Sequence, residues 1–218
     1  MIQGIIFDLD GTLLNTLEDL CDSTNFALQK FGYPKRTIEE VRHFVGNGVR
    51  LLIERAIPNG KENPYFEECL KTFKQHYRGN MYNKTKPYDG IVELLKDLRL
   101  KGIQTAVVSN KFDTAVKELC KKYFGDLIQV AIGENEEEGI RKKPAPDSVF
   151  KAISELKISI KNVIYVGDSE TDVQTAKNAE IDCIGCCWGF RDKSVLLKEG
   201  AAHIVQNPKE IYEIISTL

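Results

Sequence analysis

The sequence predicts an α/β protein: a parallel sheet covered by helices on both sides, with a helical domain inserted after the first strand. Three observations carry this. Short continuous apolar runs recur at 2–10, 103–109, 127–132, 162–167 and 181–185, with a weaker one at 203–205. They do not alternate apolar with polar, so each reads as a strand buried on both faces. Helical periodicity fills the intervals at 91–102, 113–125, 147–157 and 170–180, and buried strands alternating with helices make a Rossmann-like layered core. One stretch, 16–83, breaks the alternation and shows helical patterns alone.

Taken in order, the first strand ends in Asp8-Leu9-Asp10-Gly11-Thr12. Helical patterns follow at 17–31, 38–44, 48–57 and 63–82, interrupted by Gly32, Pro34, Gly46, Gly48, Pro58 and Pro64. Glycine and proline both break helices, one by its backbone entropy and the other by its missing N–H. The expected division is a core of residues 1–15 and 84–218 with a helical domain of 16–83 inserted. The connections near Leu13–Asn15 and Lys84–Pro87 then serve as hinges for a lid. In the core, the helix over 91–102 stops at Gly102, and that over 113–125 starts at a capping Asp113 and ends at Gly125. The acidic run Glu134–Gly139 reads as a solvated loop.

A chain of 218 residues suffices for one full domain and a smaller one. Its formal net charge of −2 lacks the basic excess of a nucleic-acid or membrane-surface binder. A small-molecule partner is expected, with no nucleic acid and no membrane; monomer and dimer both stay open. No apolar run reaches the length of a membrane span. The N-terminal MIQGIIFDLDGTLL has neither a basic segment nor a small-residue cleavage site. A cytoplasmic location follows by default. Cys183, Cys186 and Cys187 cluster, but a structural zinc site needs a second ligand pair, and His43, His76 and His203 are scattered. These thiols, with Cys21, Cys69 and Cys120, read as small buried hydrophobes.

Ligands of an open parallel sheet bind beyond the carboxyl ends of its strands. Asp8 and Asp10 stand there, and residues two apart in a strand point the same way. Two close carboxylates repel unless a cation lies between them. Mg²⁺, a hard ion that takes oxygen ligands, suits them. Asp168, after the fourth strand, offers a further carboxylate. Asp172, four residues on and on the same face of a helix, suits a supporting role. Ser109 and Asn110 end the second strand with a hydroxyl and turn N–H groups, and Lys143 brings a fixed positive charge; all are phosphate-binding features. A carboxylate attacking a phosphate dianion is repelled by it, and Mg²⁺ with Lys143 offsets that repulsion. Singly, each residue is ordinary: a helix cap, a turn serine, a surface lysine. Their order along four successive strand ends is what chance explains poorly.

FDLDGTLLNT, VVSNK, RKKPAPD and YVGDSETD resemble, in that order, the four motifs of the haloacid dehalogenase (HAD) superfamily. The inserted helices resemble its C1-type cap. The resemblance implies a phosphatase with Asp8 as nucleophile and Asp10 as general acid/base. It implies Ser109 and Lys143 on the phosphoryl group, and Mg²⁺ on Asp8, the Asp10 carbonyl and Asp168, with Asp172 supporting the metal's waters or Lys143. HFVGNGVRLLIERA, KPYDGIVELLKDL and CWGFR are closer to phosphoglycolate phosphatases. In such caps Gly46-Asn47-Gly48 faces the substrate, and Arg50 supplies charge for a substrate carboxylate. Many relatives have Asp-Ser where this chain has Asn15-Thr16, a departure at the hinge that bears on substrate choice. Asp10 argues against a dehalogenase. A β-phosphoglucomutase, a pyrophosphate or nucleotide phosphatase, and a non-catalytic binding protein on the same fold are the alternatives.

Overall fold

The computed structural model describes residues 1–135 and 139–218. The chain divides into two compact units, Met1–Leu14 with Pro87–Leu218, and Asn15–Lys86. It runs β1 (Gly4–Phe7), β2 (Leu14–Asn15), α1 (Leu17–Lys30), α2 (Ile38–Phe44), α3 (Val49–Ala56), α4 (Phe66–Asn80), β3 (Lys86–Pro87), α5 (Ile91–Leu100) and β4 (Gln104–Phe112). Then come α6 (Asp113–Tyr123), β5 (Val130–Glu134), α7 (Asp147–Leu156), β6 (Val163–Gly167), α8 (Glu170–Asn178), β7 (Cys183–Cys186), α9 (Lys193–Glu199), β8 (His203–Val205) and α10 (Pro208–Ile215). The dipeptide strands β2 and β3, where the chain passes between the units, pair with each other. Among the described residues, no helix is long and apolar enough to cross a membrane.

The first unit is built on a parallel sheet in the order β5-β4-β1-β6-β7-β8. All four residues of β1 are buried, which is why its sequence is apolar without alternation. Ile6, Ala106, Val108, Val130, Ile132, Val163, Tyr165 and Cys183 point from the strands into one core layer. Val149, Ala152, Ile153 and Leu156 of α7, Val173 and Ala176 of α8, and Leu196 of α9 close over them. Each large aliphatic side chain so buried stabilises the fold by roughly 1.5–3 kcal/mol. From β1 the chain moves outward through β4 to β5, then returns to β6 and moves the other way through β7 to β8. That reversal beside β1 opens a crevice beyond the strand ends.

Several local expectations are corrected. Asp113 does not cap α6 but is its first residue; one oxygen accepts from Gly133 N at 3.0 Å and the other meets Lys117 Nζ at 2.6 Å. The helix ends at Tyr123, ahead of Gly125. α9 and α10 add to the expected helices; α9 has seven residues and buries only Leu196, too little for a periodic signal. In the run 134–139, residues 136–138 lie outside the described residues. The six thiols are free, five of them buried and Cys187 partly so.

The second unit is α1–α4. Thr37 and Glu40 start α2 as a reciprocal cap, each accepting from the other's backbone N–H. Asn25 in α1 holds the segment before it, donating to Arg36 O at 2.9 Å and accepting from Arg36 N at 2.7 Å. Asp19, 1% exposed in the first turn of α1, ties down the segment after α4. Its carboxylate accepts from Lys84 N at 3.1 Å, Thr85 N at 2.9 Å and Thr85 Oγ1 at 2.8 Å. Asp19→Ala leaves those donors without their acceptor, and stranded buried donors cost about 1–3 kcal/mol. Urea unfolding of the variant should show a loss of that size; a midpoint equal to wild type would show that the clamp adds nothing.

Candidate active site

The site lies in the first unit, where the ends of β1, β4 and β6 meet. Asp8 follows β1 directly, and its N–H bonds to Val166 O at 2.9 Å, so it keeps step with β6. The chain then folds back in a tight loop, with Leu13 N and Leu14 N both donating to Leu9 O. Gly11 stands in that loop at φ 91°, and a Cβ there would lie 2.3 Å from Asp168 Oδ2. Both the dihedral and the contact demand glycine.

Asp168 sits beyond β6, 1% exposed and held on both oxygens. Thr12 Oγ1 donates to Oδ1 at 2.9 Å, and Phe190 N donates to Oδ2 at 2.7 Å. Gly189 lets the 187–191 loop come this close, since a Cβ there would lie 2.3 Å from Asp168 Cβ. Trp188 Nε1 braces the same loop by donating to Thr12 O at 2.9 Å. Asp172 is in the first turn of α8. Its Oδ2 accepts from Ser169 N at 3.1 Å and Ser169 Oγ at 2.6 Å. The expectation that Asp168 and Asp172 share a helix face fails, because α8 begins at Glu170 with Ser169 as its cap. A strand-to-helix turn brings them together instead.

Lys143 is 6% exposed and lies at the centre. Its Nζ is 2.7 Å from Asp8 Oδ1, 2.7 Å from Asp172 Oδ1 and 3.1 Å from the Tyr165 hydroxyl. That hydroxyl in turn donates to Asp172 Oδ1 at 3.1 Å. Asn110 anchors the lysine's backbone: its Oδ1 accepts from Lys143 N at 2.8 Å and its Nδ2 donates to Lys143 O at 3.1 Å. The Asn110 side chain thus clamps the main chain of Lys143, a role the sequence did not suggest. Ser109, 6% exposed, accepts from Lys111 N at 3.2 Å.

Oxygens of Asp8, Asp168 and Asp172 lie within 4.8 Å of one another. Burial, followed by the charge of Asp172, pushes the Asp168 carboxyl up to about 7. Burial also raises Asp8 well above the usual carboxylate range; the attraction of Lys143 opposes this and the charges of Asp172 and Asp168 add to it. Burial acts to lower the Lys143 ammonium, but Asp172 and Asp8 outweigh it and hold it well above the usual lysine range. Both directions hold together because Lys143 gains two counter-charges, Asp172 and Asp8, while Asp8 meets two like charges, Asp172 and Asp168. The set crowds three buried carboxyl groups of hard oxygen donors around a single cation, and a divalent cation such as Mg²⁺ favours their ionised forms.

Asp10 stands apart from this cluster. Its two oxygens accept from Lys111 Nζ at 3.0 and 2.9 Å. β1 ends at Phe7, so the strand rule that aimed Asp8 and Asp10 the same way does not apply to them. Lys111, Thr12, Tyr165 and the Phe190 N–H were not singled out in the sequence. Lys111 and Thr12 lie inside the motifs VVSNK and FDLDGT, and that adjacency was the available signal. Nothing local marks Tyr165 or a backbone N–H.

The residues expected to contact the substrate's far end belong to the second unit. Gly46 and Gly48 take positive φ angles of 110° and 87°, and Gly48 is the cap position ahead of α3. Asn47 Oδ1 accepts from Arg55 Nη2 at 3.0 Å. Arg50 pairs with Glu67 at 2.6 Å, lies over the Phe66 ring, and keeps half of its side chain exposed.

A family model described as haloacid dehalogenase-like hydrolase matches residues 5–186. The chain is 34% identical over 194 residues to a phosphoglycolate phosphatase of Agrobacterium fabrum, covering 86% of this chain and 81% of that one. It is 29% identical over 220 residues to a phosphoglycolate phosphatase of Neisseria meningitidis, covering 97% and 93%. Among solved structures, one from Lactobacillus delbrueckii subsp. bulgaricus, provisionally described as a phosphoglycolate phosphatase, superposes with a TM-score of 0.93 at 36% identity over 98% of both chains. CbbY from Rhodobacter sphaeroides, solved with phosphate, shares the fold at a TM-score of 0.78 and 24% identity over 97% of this chain and 96% of that one. A buried aspartate–lysine site at the strand ends of a parallel sheet and a family match over most of the length agree, and the chain belongs to the haloacid dehalogenase-like hydrolase family.

Proposed function

We propose that this chain is a magnesium-dependent phosphatase that hydrolyses a small phosphate monoester, 2-phosphoglycolate or a close analogue, through an aspartyl-phosphate on Asp8. The observation that carries the reading is the buried Asp8 carboxylate, 2.7 Å from the Lys143 ammonium and beside two further carboxylates. The substrate class is supported by relatives described as phosphoglycolate phosphatases.

Asp8, Asp168 and the main-chain carbonyl of Asp10 would hold the Mg²⁺. When bound, the ion neutralises the carboxylate cluster and withdraws charge from the phosphoryl oxygens. The chain's own groups do the rest. Lys143 attracts the phosphoryl oxygens and offsets their repulsion from Asp8. Ser109 offers its hydroxyl to the same group. An Asp8 oxygen bonds to phosphorus while the ester oxygen leaves and takes a proton from Asp10. Asp10, now a carboxylate, removes a proton from the water that attacks the aspartyl-phosphate. Phosphate departs, and both aspartates return to their starting states. Asp172 and Tyr165 hold Lys143 in place. In the second unit, Gly46-Asn47-Gly48 and Arg50 are the proposed selectors of the substrate's far end. The proposed setting is cytoplasmic.

Phosphate release should be followed over 2-phosphoglycolate, sugar phosphates, nucleotides and pyrophosphate, with Mg²⁺ or with a chelator. The expected result is Mg²⁺-dependent turnover with 2-phosphoglycolate preferred; turnover untouched by the chelator would remove the metal from the mechanism. Asp8→Asn should lower turnover by roughly three orders of magnitude or more with an unchanged melting temperature. Turnover near that of wild type would sink the covalent route.

The metal-free protein gives a further check through pH. Asp168 has a folded-state pKa near 7, above its unfolded value. The folded state therefore binds more protons between about pH 4 and 7, and the stability contributed by this group falls as pH rises through that window. Asp168→Asn should remove this fall, so the variant gains on wild type by a few kcal/mol at neutral pH in chelator. Added Mg²⁺ should raise the wild-type melting temperature and leave that of the variant unmoved. Parallel pH curves for the two proteins would refute the assignment.

A further inference from the structure

Lys111 is a buried cation for which the proposed chemistry has no use so far. Its side chain is 2% exposed, and its ammonium contacts both oxygens of Asp10 at 3.0 and 2.9 Å. A lysine is almost never buried unless it is paired. Here the pair leads to a carboxylate that keeps 20% of its side chain exposed. The backbone that carries Lys111 is irregular as well. The ladder between β4 and β5 shifts register between Val108 and Phe112. Such irregularities re-aim side chains, often beside active sites. This one spans Ser109, Asn110 and Lys111, of which Asn110 holds the Lys143 backbone and Lys111 holds the Asp10 side chain.

We infer that Lys111 is a positioning residue for Asp10, fixing the carboxyl group that protonates the leaving oxygen; this rests on the proposed role of Asp10. An aspartate at a loop can turn about both side-chain bonds. One ammonium spanning both oxygens fixes the plane of the carboxyl group, and with it the direction in which a proton is offered. In the step it serves, the Asp8 oxygen–phosphorus bond forms and the ester P–O bond breaks. The bonding electron pair stays on the leaving oxygen, and the Asp10 proton moves to that oxygen. Asp10 regains a proton from the attacking water, so the cycle balances. Lys111 itself gives up nothing and need not touch the substrate.

The leaving group separates this role from a structural one. An alkoxide such as that of glycolate is a strong base and must be protonated as it departs. 4-Nitrophenolate departs without help. The test is kcat/KM, which reports the steps through departure of the leaving group, for 2-phosphoglycolate and 4-nitrophenyl phosphate with Lys111→Met, Lys111→Arg, Asp10→Asn and the double variant Asp10→Asn/Lys111→Met. Misplacing a general acid costs on the order of 100-fold. Lys111→Met should therefore lose about that much on 2-phosphoglycolate and less than about 5-fold on the nitrophenyl ester. Lys111→Arg should recover part of the loss, and Lys111→Met should add nothing in the Asp10→Asn background. Equal losses on both esters, or a further loss in the Asp10→Asn background, would overturn the inference. If Lys111→Met fails to fold, Lys111→Arg and its pairing with Asp10→Asn carry the same comparison. Turnover retained by Asp8→Asn would instead overturn the covalent mechanism, a separate result.

Discussion

The structure of this site depends on one interaction, the buried ammonium of Lys143 among the oxygens of Asp8, Asp172 and Tyr165. A lysine charge removed from water is tolerated only when hydrogen-bonded counter-charges surround it. The two counter-charges and the hydroxyl come from separate places: the loop after β1, the first turn of α8 and the middle of β6. Asn110, on β4, clamps the lysine's own backbone. The parallel order of β4, β1 and β6 brings all of them to one rim. The same contacts that tie these central strand ends together therefore hold in place the cation that the proposed function assigns to the phosphoryl group.

The acidic side of the site shows the opposite balance. Three carboxylates cluster with one ammonium that pairs with two of them, and burial with mutual repulsion raises Asp8 and Asp168. The protein does not relieve this by opening the cluster to water. It wraps Asp168 in donors from Thr12 and Phe190 and brings two glycine-bearing loops into contact with it. A buried crowd of carboxyl groups, made of hard oxygen donors and held rigid, is a poor structural element and a good receptor for a small divalent cation.

Two aspartates separated by one residue receive different surroundings. Asp8 is buried with Lys143 and two like charges beside it, whereas Asp10 is more open and meets its own lysine, Lys111. Dividing roles between similar groups by environment is how a site assigns a nucleophile and an acid at neutral pH. The tight loop through Gly11 imposes the division, because it turns the chain after Asp8 and sends the two side chains to different lysines, Lys143 in the turn before α7 and Lys111 on β4.

Much of this was legible in the sequence. Continuous apolar runs report strands buried on both faces, and that burial follows from local composition alone. The helical insertion was visible because its periodicity is 3.6 and nowhere 2. Asp8, Lys143, Asp168 and Asp172 stood out together: each alone is ordinary, but their order along successive strand ends and the segments that follow them is what chance explains poorly. What the sequence could not carry was partnership. That Asn110 clamps a backbone, that Lys111 reaches Asp10, that Tyr165 completes the Lys143 cage and that Phe190 offers an N–H are facts about residues 22 to 101 positions apart. Residue types and their order are properties of the chain; which donor meets which acceptor is decided when the sheet assembles, since only close packing sets those distances.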